Sequence, residues 1–326
     1  MKKLLALLLA LTLIGSLAAC SKTESGEDSQ GEETAVPRIG VIQLTAHPAL
    51  DAALEGFVEA LDESGFAYEI DVQNAGGEQS NCATIANKLV NDKVDLILAI
   101  ATPAAQAAAQ ATTEIPILVT AVTSPAYAGL VESNEEAMGG NVSGTSDMNP
   151  VADQIDLLLS FVPEAKTIGL LFNASEDNSI LQVEMAEKAL SAKGIDTLRF
   201  TATETSQVQS VVQSMVGKVD GVYIPTDNLM ADTMATIVMV LNPAGIPTVG
   251  GEGNMVTAGA LATYSFSYKE LGRQTAAQAL QILRDGVDVG TIPIGFYNGE
   301  LETVINGKTA EELGIEIPEE LQNAVQ

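Results

Sequence analysis

One strand-to-helix segment occurs twice in this chain, and no other feature restricts its fold as much. Lys93-Val94-Asp95 leads into the apolar run Leu96 to Ile100 and then into Thr102-Pro103-Ala104-Ala105-Gln106. Lys218-Val219-Asp220 leads into Gly221 to Ile224 and then into Pro225-Thr226-Asp227-Asn228. The lysines lie 125 residues apart and the threonines 124. A short, near-continuous apolar run suits a parallel strand covered on both faces, and Pro103 with the alanines after it marks a helix start.

The repeat reaches further. Arg38-Ile39-Gly40-Val41-Ile42 and Thr167-Ile168-Gly169-Leu170-Leu171 each open a strand followed by a helical stretch, which stops at Ser64-Gly65 in the first case and Lys193-Gly194 in the second. The paired glycines are 129 residues apart. Ile115-Pro116-Ile117 and Ile246-Pro247-Thr248 each begin a further strand. Two similar βαβαβ halves are the simplest solution: an α/β fold of two Rossmann-like lobes with parallel sheets and a cleft between them.

Candidate contacts then lie at the carboxyl ends of strands, where open parallel sheets hold ligands. With Thr102 as N-cap, the helix after it offers free N–H groups and a positive dipole end to a carboxylate, although Thr102-Pro103 is also an ordinary capping pair. His47, before Pro48 and the helical spacing of Leu50, Leu54, Phe57, Val58 and Leu61, is a turn residue or a ligand contact. Ala121 and Thr123 end the next strand. Ser146 and Asp147, in the crossing Asn141 to Pro150, are turn residues, cleft contacts or both. In the second half, Asn173 and Ser175 take the place of His47 and its neighbours, Asp227 and Asn228 follow the repeated strand, and Glu252 sits in a glycine-rich loop. Ile292 to Ile305 is expected to form a hairpin or a pair of short strands.

Lys2-Lys3, the apolar run Leu4 to Ile14 and Leu17-Ala18-Ala19-Cys20 form a signal peptide ending in a lipobox, too short to span a membrane comfortably. Cys20 is expected to be lipidated with palmitate-type acyl chains, leaving the exported protein anchored to the outer face of the cell membrane. Residues 21–36 bury almost nothing and read as a disordered tether of roughly 20 Å. Cys82 is the one other cysteine, so no intramolecular disulfide forms in the mature chain.

The formal charge of −28 argues against nucleic acid, which needs a basic face. A single histidine makes metal sites and histidine triads hard to build, and no Walker loop, Gly-x-Gly-x-x-Gly or Gly-x-Ser-x-Gly motif is present. Binding without turnover, with no cofactor and no metal, is the better account. A zwitterion fits: helix N-termini near Thr102, Thr123 and Ser146 for a carboxylate, and Asp147, Asp227 or Glu252 for an ammonium group. Asp227 is the first choice of the three, against its reading as an N-cap.

His47-Pro48-Ala49-Leu50-Asp51, Thr102-Pro103-Ala104-Ala105-Gln106, Ala121-Val122-Thr123, Gly144-Thr145-Ser146-Asp147, Asn173 through Ser179, Pro225-Thr226-Asp227-Asn228 and Leu271-Gly272 together resemble the tryptophan/tyrosine-type substrate-binding lipoproteins of bacterial ABC transporters. The resemblance runs from Arg38 nearly to the C-terminus. It implies the type I periplasmic-binding-protein fold with three hinge crossings, lobe one being residues 37–145 and 266–290 and lobe two 146–265 and 291–326. It also implies a monomer that delivers an aromatic or similarly apolar amino acid to an ABC permease and ATPase. A receptor of the same fold that signals to a membrane kinase or chemoreceptor is the alternative. Two positions depart from the family pattern, Ala46 and Ser267, where acidic residues are common.

Overall fold

The computed structural model describes residues 36–137 and 139–326, so the leader, Cys20 and all but the last residue of the tether lie outside the described residues. The first half builds β1 (Arg38–Gln43), α1 (Pro48–Glu63), β2 (Glu69–Asn74), α2 (Gln79–Asn91), β3 (Leu96–Ile100), α3 (Thr102–Ala111), β4 (Ile117–Val122) and β5 (Val142–Ser146). The second repeats the alternation. It comprises α4 (Val151–Phe161), β6 (Thr167–Phe172), α5 (Asp177–Ala192), β7 (Asp196–Thr201), α6 (Thr205–Gln213), β8 (Gly221–Ile224), α7 (Asn228–Asp232), α8 (Met234–Leu241), β9 (Thr248–Gly250), α9 (Gly253–Thr257) and β10 (Ala262–Ser265). The chain closes with α10 (Tyr268–Leu283), β11 (Gly295–Phe296), β12 (Glu302–Ile305) and α11 (Gly307–Leu313).

Two six-stranded sheets result, ordered β11-β5-β4-β3-β1-β2 and β12-β10-β9-β8-β6-β7. Every pairing is parallel except β10 with β12. The strand order reverses between β1 and β3 in one sheet and between β6 and β8 in the other. Loops leaving those four strands therefore splay apart and open a crevice at each switch point. Central β3 is buried along its whole length, while edge strand β2 has no fully buried residue, in keeping with its polar sequence. In the second lobe Ile168, Leu170 and Phe172 pack into one apolar cluster and Leu171 into another, the period-two alternation of a strand covered on both faces.

Two expected boundaries are corrected. Ser146 closes β5 in the first sheet, and Gly295–Phe296 pairs in parallel with Thr145 and Ser146, so residues 291–326 do not all belong to the second lobe. Of the two expectations for 292–305, a pair of short strands holds and a hairpin does not, since β12 pairs antiparallel with β10 in the other sheet. The chain thus passes between the sheets three times, at 147–150, 266–267 and 297–301. Helix α10 returns to the first lobe and crosses α1, where Gly56 and Gly272 let the backbones meet: a Cβ on Gly272 would lie 1.9 Å from the Ala53 carbonyl oxygen. Among the described residues no helix is long and apolar enough to cross a membrane.

Candidate functional site

Two of the three crossings and the strand ends of both lobes converge on a narrow pocket in the cleft, with a cavity volume of only about 10 Å³. From the first lobe come His47, Ala49, Leu50 and Ala121, and from the crossings Asp147 and Tyr268. The second lobe supplies Thr226, Asp227, Asn228, Ala231, Glu252 and Met255. Ala121 sits at φ +54, where the register between β4 and β5 shifts, a bulge that turns the end of β4 into the cleft.

Three buried polar atoms on the pocket wall have no partner among the described residues: Asp147 Oδ1, Glu252 Oε1 and His47 Nδ1. Their other atoms are held. Asp147 Oδ2 accepts from the Tyr268 hydroxyl at 2.8 Å, and Glu252 Oε2 accepts from the Asn254 backbone N–H at 2.7 Å. His47 Nε2 lies 3.3 Å from Asn228 Oδ1, while Asn228 Nδ2 donates to Glu176 Oε2 at 2.6 Å. That orientation leaves the Asn228 oxygen to accept, so in the neutral ring Nε2 carries the hydrogen and Nδ1 is a bare acceptor. An unpartnered buried acceptor costs about 1–3 kcal/mol, more when charged, so these atoms suit a hydrogen-bond donor.

Burial pushes the Asp147 carboxyl above the usual carboxylate range, opposed by its bond from Tyr268 and by the neighbouring Thr123 hydroxyl. That hydroxyl lies outside hydrogen-bonding geometry to Oδ1 and is engaged with Thr226 and Gln182 instead. Burial also raises Glu252, opposed in order by the Asn254 backbone N–H, by the positive charge His47 carries when its ring is protonated, and by the Asn254 amide. Among the described residues no lysine or arginine lines the pocket. A cationic ligand group would therefore supply the counter-charge that these carboxyls lack.

Three helix N-termini meet here, and they differ. Asp227 Oδ1 caps α7 through the Met230 N–H, and Glu252 caps α9. At α1 the His47 side chain makes no capping bond, Pro48 has no N–H, and the Ala49 and Leu50 N–H groups belong to the first turn, which has no intrahelical acceptor. Both residues line the pocket, so the positive end of a 16-residue helix is open to it.

Of the sequence candidates, His47, Ala121, Asp147, Asp227, Asn228 and Glu252 line this pocket. Asp227, first choice for an ammonium group, has no free oxygen: Oδ2 accepts from the Asn173 N–H at 2.6 Å and the Ser179 hydroxyl at 2.7 Å, and Oδ1 is the cap. Burial first, and the Glu176 carboxylate second, raise it to about 7. Thr102 is the first helical residue rather than the N-cap, which is Ala101 at φ +83, and its buried hydroxyl is not on the pocket wall. Ser146 donates to the Thr123 carbonyl, and Thr123 meets Thr226 across the cleft at 3.2 Å, so neither lines the pocket.

Asn173 and Ser175 line a second chamber of about 620 Å³, which Asn228 also borders. That chamber is the larger, but the unpartnered oxygens of Asp147 and Glu252 lie on the narrow pocket. The sequence missed Tyr268, Thr226, Met255, Ala231, Ala49 and Leu50. Only Ala49, Leu50 and Thr226 stood in segments already singled out as strand-end devices. The two departures from the family pattern fall outside the pocket: Ala46 is exposed, and Ser267 caps α10 through the Glu270 N–H.

Residues 38–326 match the model of a family described as ABC transporter substrate binding protein. A tyrosine-binding protein of Clostridioides difficile (strain R20291) is 39% identical over 324 residues, covering 97% of this chain and 93% of the relative. A Streptococcus pneumoniae ABC domain in complex with L-Trp is 36% identical with a TM-score of 0.85, covering 89% of this chain and 100% of that one. The ligand-free, open structure of a substrate binding protein from Clostridium difficile is 40% identical with a TM-score of 0.68, covering 89% and 98%.

Proposed function

Because the chain belongs to the ABC transporter substrate-binding protein family, we propose that it is an extracytoplasmic lipoprotein that captures an aromatic or similarly apolar amino acid between its lobes and delivers it to an ABC importer. The observation that carries the reading is the pairing, on one pocket wall, of unpartnered carboxylate oxygens with an open helix N-terminus. Asp147 Oδ1 and Glu252 Oε1 accept from the ligand ammonium, with His47 Nδ1 as a third acceptor. The ligand carboxylate lies against the first turn of α1, and Leu50, Ala231 and Met255 flank the apolar side chain. No water-activating metal or nucleophile-base pair enters this account, and the ligand leaves as it arrived.

Hinge closure is part of the proposal. This chain superposes better on the tryptophan-bound relative than on the ligand-free, open one, although it is slightly more identical to the open one. His47 and Asn228 come from opposite lobes and touch, as do Thr123 and Thr226. A ligand that bridges both walls binds the closed form better and shifts the lobes toward it.

The chain contains no tryptophan, which gives a clean assay. Excited beyond the tyrosine absorption band, only the ligand emits when L-tryptophan is titrated, and a saturable change in its emission is expected. Calorimetry extends the panel to L-tyrosine, L-phenylalanine and L-leucine. Binding of none of these overturns the amino-acid reading.

A further inference from the structure

The segment Thr102-Pro103-Ala104-Ala105-Gln106 looks like a ligand device in the sequence, yet its threonine does not line the pocket. Its glutamine, one helical turn on, crosses the cleft. Gln106 Nε2 donates to Asp177 Oδ2 at 2.7 Å and to the Ala128 carbonyl at 3.2 Å, which employs both amide hydrogens. Asp177 is the first residue of α5 in the opposite lobe, where its charge also suits the helix dipole. Beside it, Gln79 Nε2 donates to the Ser175 carbonyl across the same cleft at 3.1 Å. Neither Gln106 nor Asp177 lines either pocket.

We propose that Gln106 and Asp177, supported by Gln79 and the Ser175 carbonyl, form a clasp between the lobes that sets how much of the protein is closed before ligand arrives, and so tunes affinity for every ligand alike. The inference rests on the amino-acid reading only for its choice of probe. The Gln106–Asp177 bond is separable from ligand recognition because neither residue lines either pocket, whereas the Thr123 to Thr226 contact involves a residue of the pocket wall. Apparent affinity scales with the competent fraction, so a bond made only in the closed form multiplies all affinities by one factor. The bond is to a carboxylate, and its half-buried site makes it stronger than a fully exposed contact.

Replacing Gln106 by alanine tests this without threatening the fold, since alanine is the best helix former. Gln106→Ala is expected to weaken L-tryptophan and L-tyrosine alike by about tenfold, with faster dissociation and an unchanged ratio between them. Gln106→Glu, which sets like charges face to face, is expected to weaken both further, and adding Asp177→Asn to recover part of the loss. Unchanged affinities, or a changed ratio, overturn the clasp. Small-angle scattering of the ligand-free wild type and of Gln106→Glu provides the second readout. The variant is expected to have the larger radius of gyration, and identical curves overturn the proposal. If the wild type binds no amino acid, the amino-acid reading fails while the scattering comparison still decides the clasp.

Discussion

Replacing Gly272 by alanine sets two effects of opposite sign against each other. In an isolated helix the change gains about 1 kcal/mol, because glycine gives up more backbone freedom than alanine. At the crossing of α1 and α10, however, the new methyl would lie 1.9 Å from the Ala53 carbonyl oxygen and 3.0 Å from the Phe57 nitrogen. Backbone atoms cannot swing aside as a side chain does. Bringing the first contact beyond 3.0 Å requires the helices to part by just over 1 Å. A gap of that size forfeits a quarter to a half of each dispersion well along the seam, where Ala53, Phe57, Leu271 and Ala276 are fully buried. Overpacking of this kind costs about 1–3 kcal/mol and at backbone contacts lies at the upper end, leaving a net loss of about 2 kcal/mol. The ion pairs flanking the seam, Lys269 with Glu59 at 2.8 Å and Arg273 with Glu63, are too exposed to hold it together. For a chain of this size the loss corresponds to a Tm lower by about 3 °C in a circular-dichroism melt. Gly56, whose Cβ would lie 1.9 Å from the Lys269 carbonyl oxygen, is expected to behave alike. The double substitution should cost less than the sum, since one shift relieves both clashes. A Tm that stays level or rises would show that helix propensity, not close approach, governs this crossing.

Asp147→Asn keeps an acceptor for the Tyr268 hydroxyl but removes the charge opposite the ligand ammonium, and is expected to weaken L-tryptophan by roughly 10- to 150-fold with little change in Tm. Equal affinity would remove Asp147 from the ammonium site. Asp227 titrates at about 7 in the folded protein against an ordinary 3.8, so between those values the native state holds a proton that the unfolded chain has released. Its contribution to stability is therefore fully present below about 4 and is lost as pH rises through about 7. Asp227→Asn should flatten that decline in urea denaturation, and an unchanged slope would refute it. Asp147 and Glu252, also raised, contribute in the same direction. Cys20→Ser is expected to move the protein from the membrane fraction to the medium or periplasm, and continued membrane retention would refute lipid anchoring.

The duplicated fold was legible because it is written locally. Lys-Val-Asp followed by an apolar run fixes a buried strand at β3 and again at β8, and Gly65 and Gly194, both at φ near +70, end the helices that precede the edge strands. Periodicity of two and of 3.6 carries that information in neighbouring residues alone. Residues at the strand ends were legible for the same reason, since every parallel sheet presents its loops at that edge.

Which of those residues remain free to bind was not local. Asp227 loses its oxygens to Asn173 and Ser179, 54 and 48 residues away, and so becomes a structural cap, whereas Asp147 and Glu252 each retain one oxygen. Tyr268 reaches the site from the second crossing to orient Asp147, 121 residues distant in sequence, and no spacing rule encodes such a meeting. The two sheet memberships of β11 and β12 were likewise hidden, because both are short strands separated by a turn and only their partners tell them apart. Sequence alone specified the elements, their duplication and the edge that faces the cleft. Hydrogen-bond supply is shared among all groups brought together by folding, so only the tertiary structure decided which polar atoms are spent on the protein and which are left for a ligand.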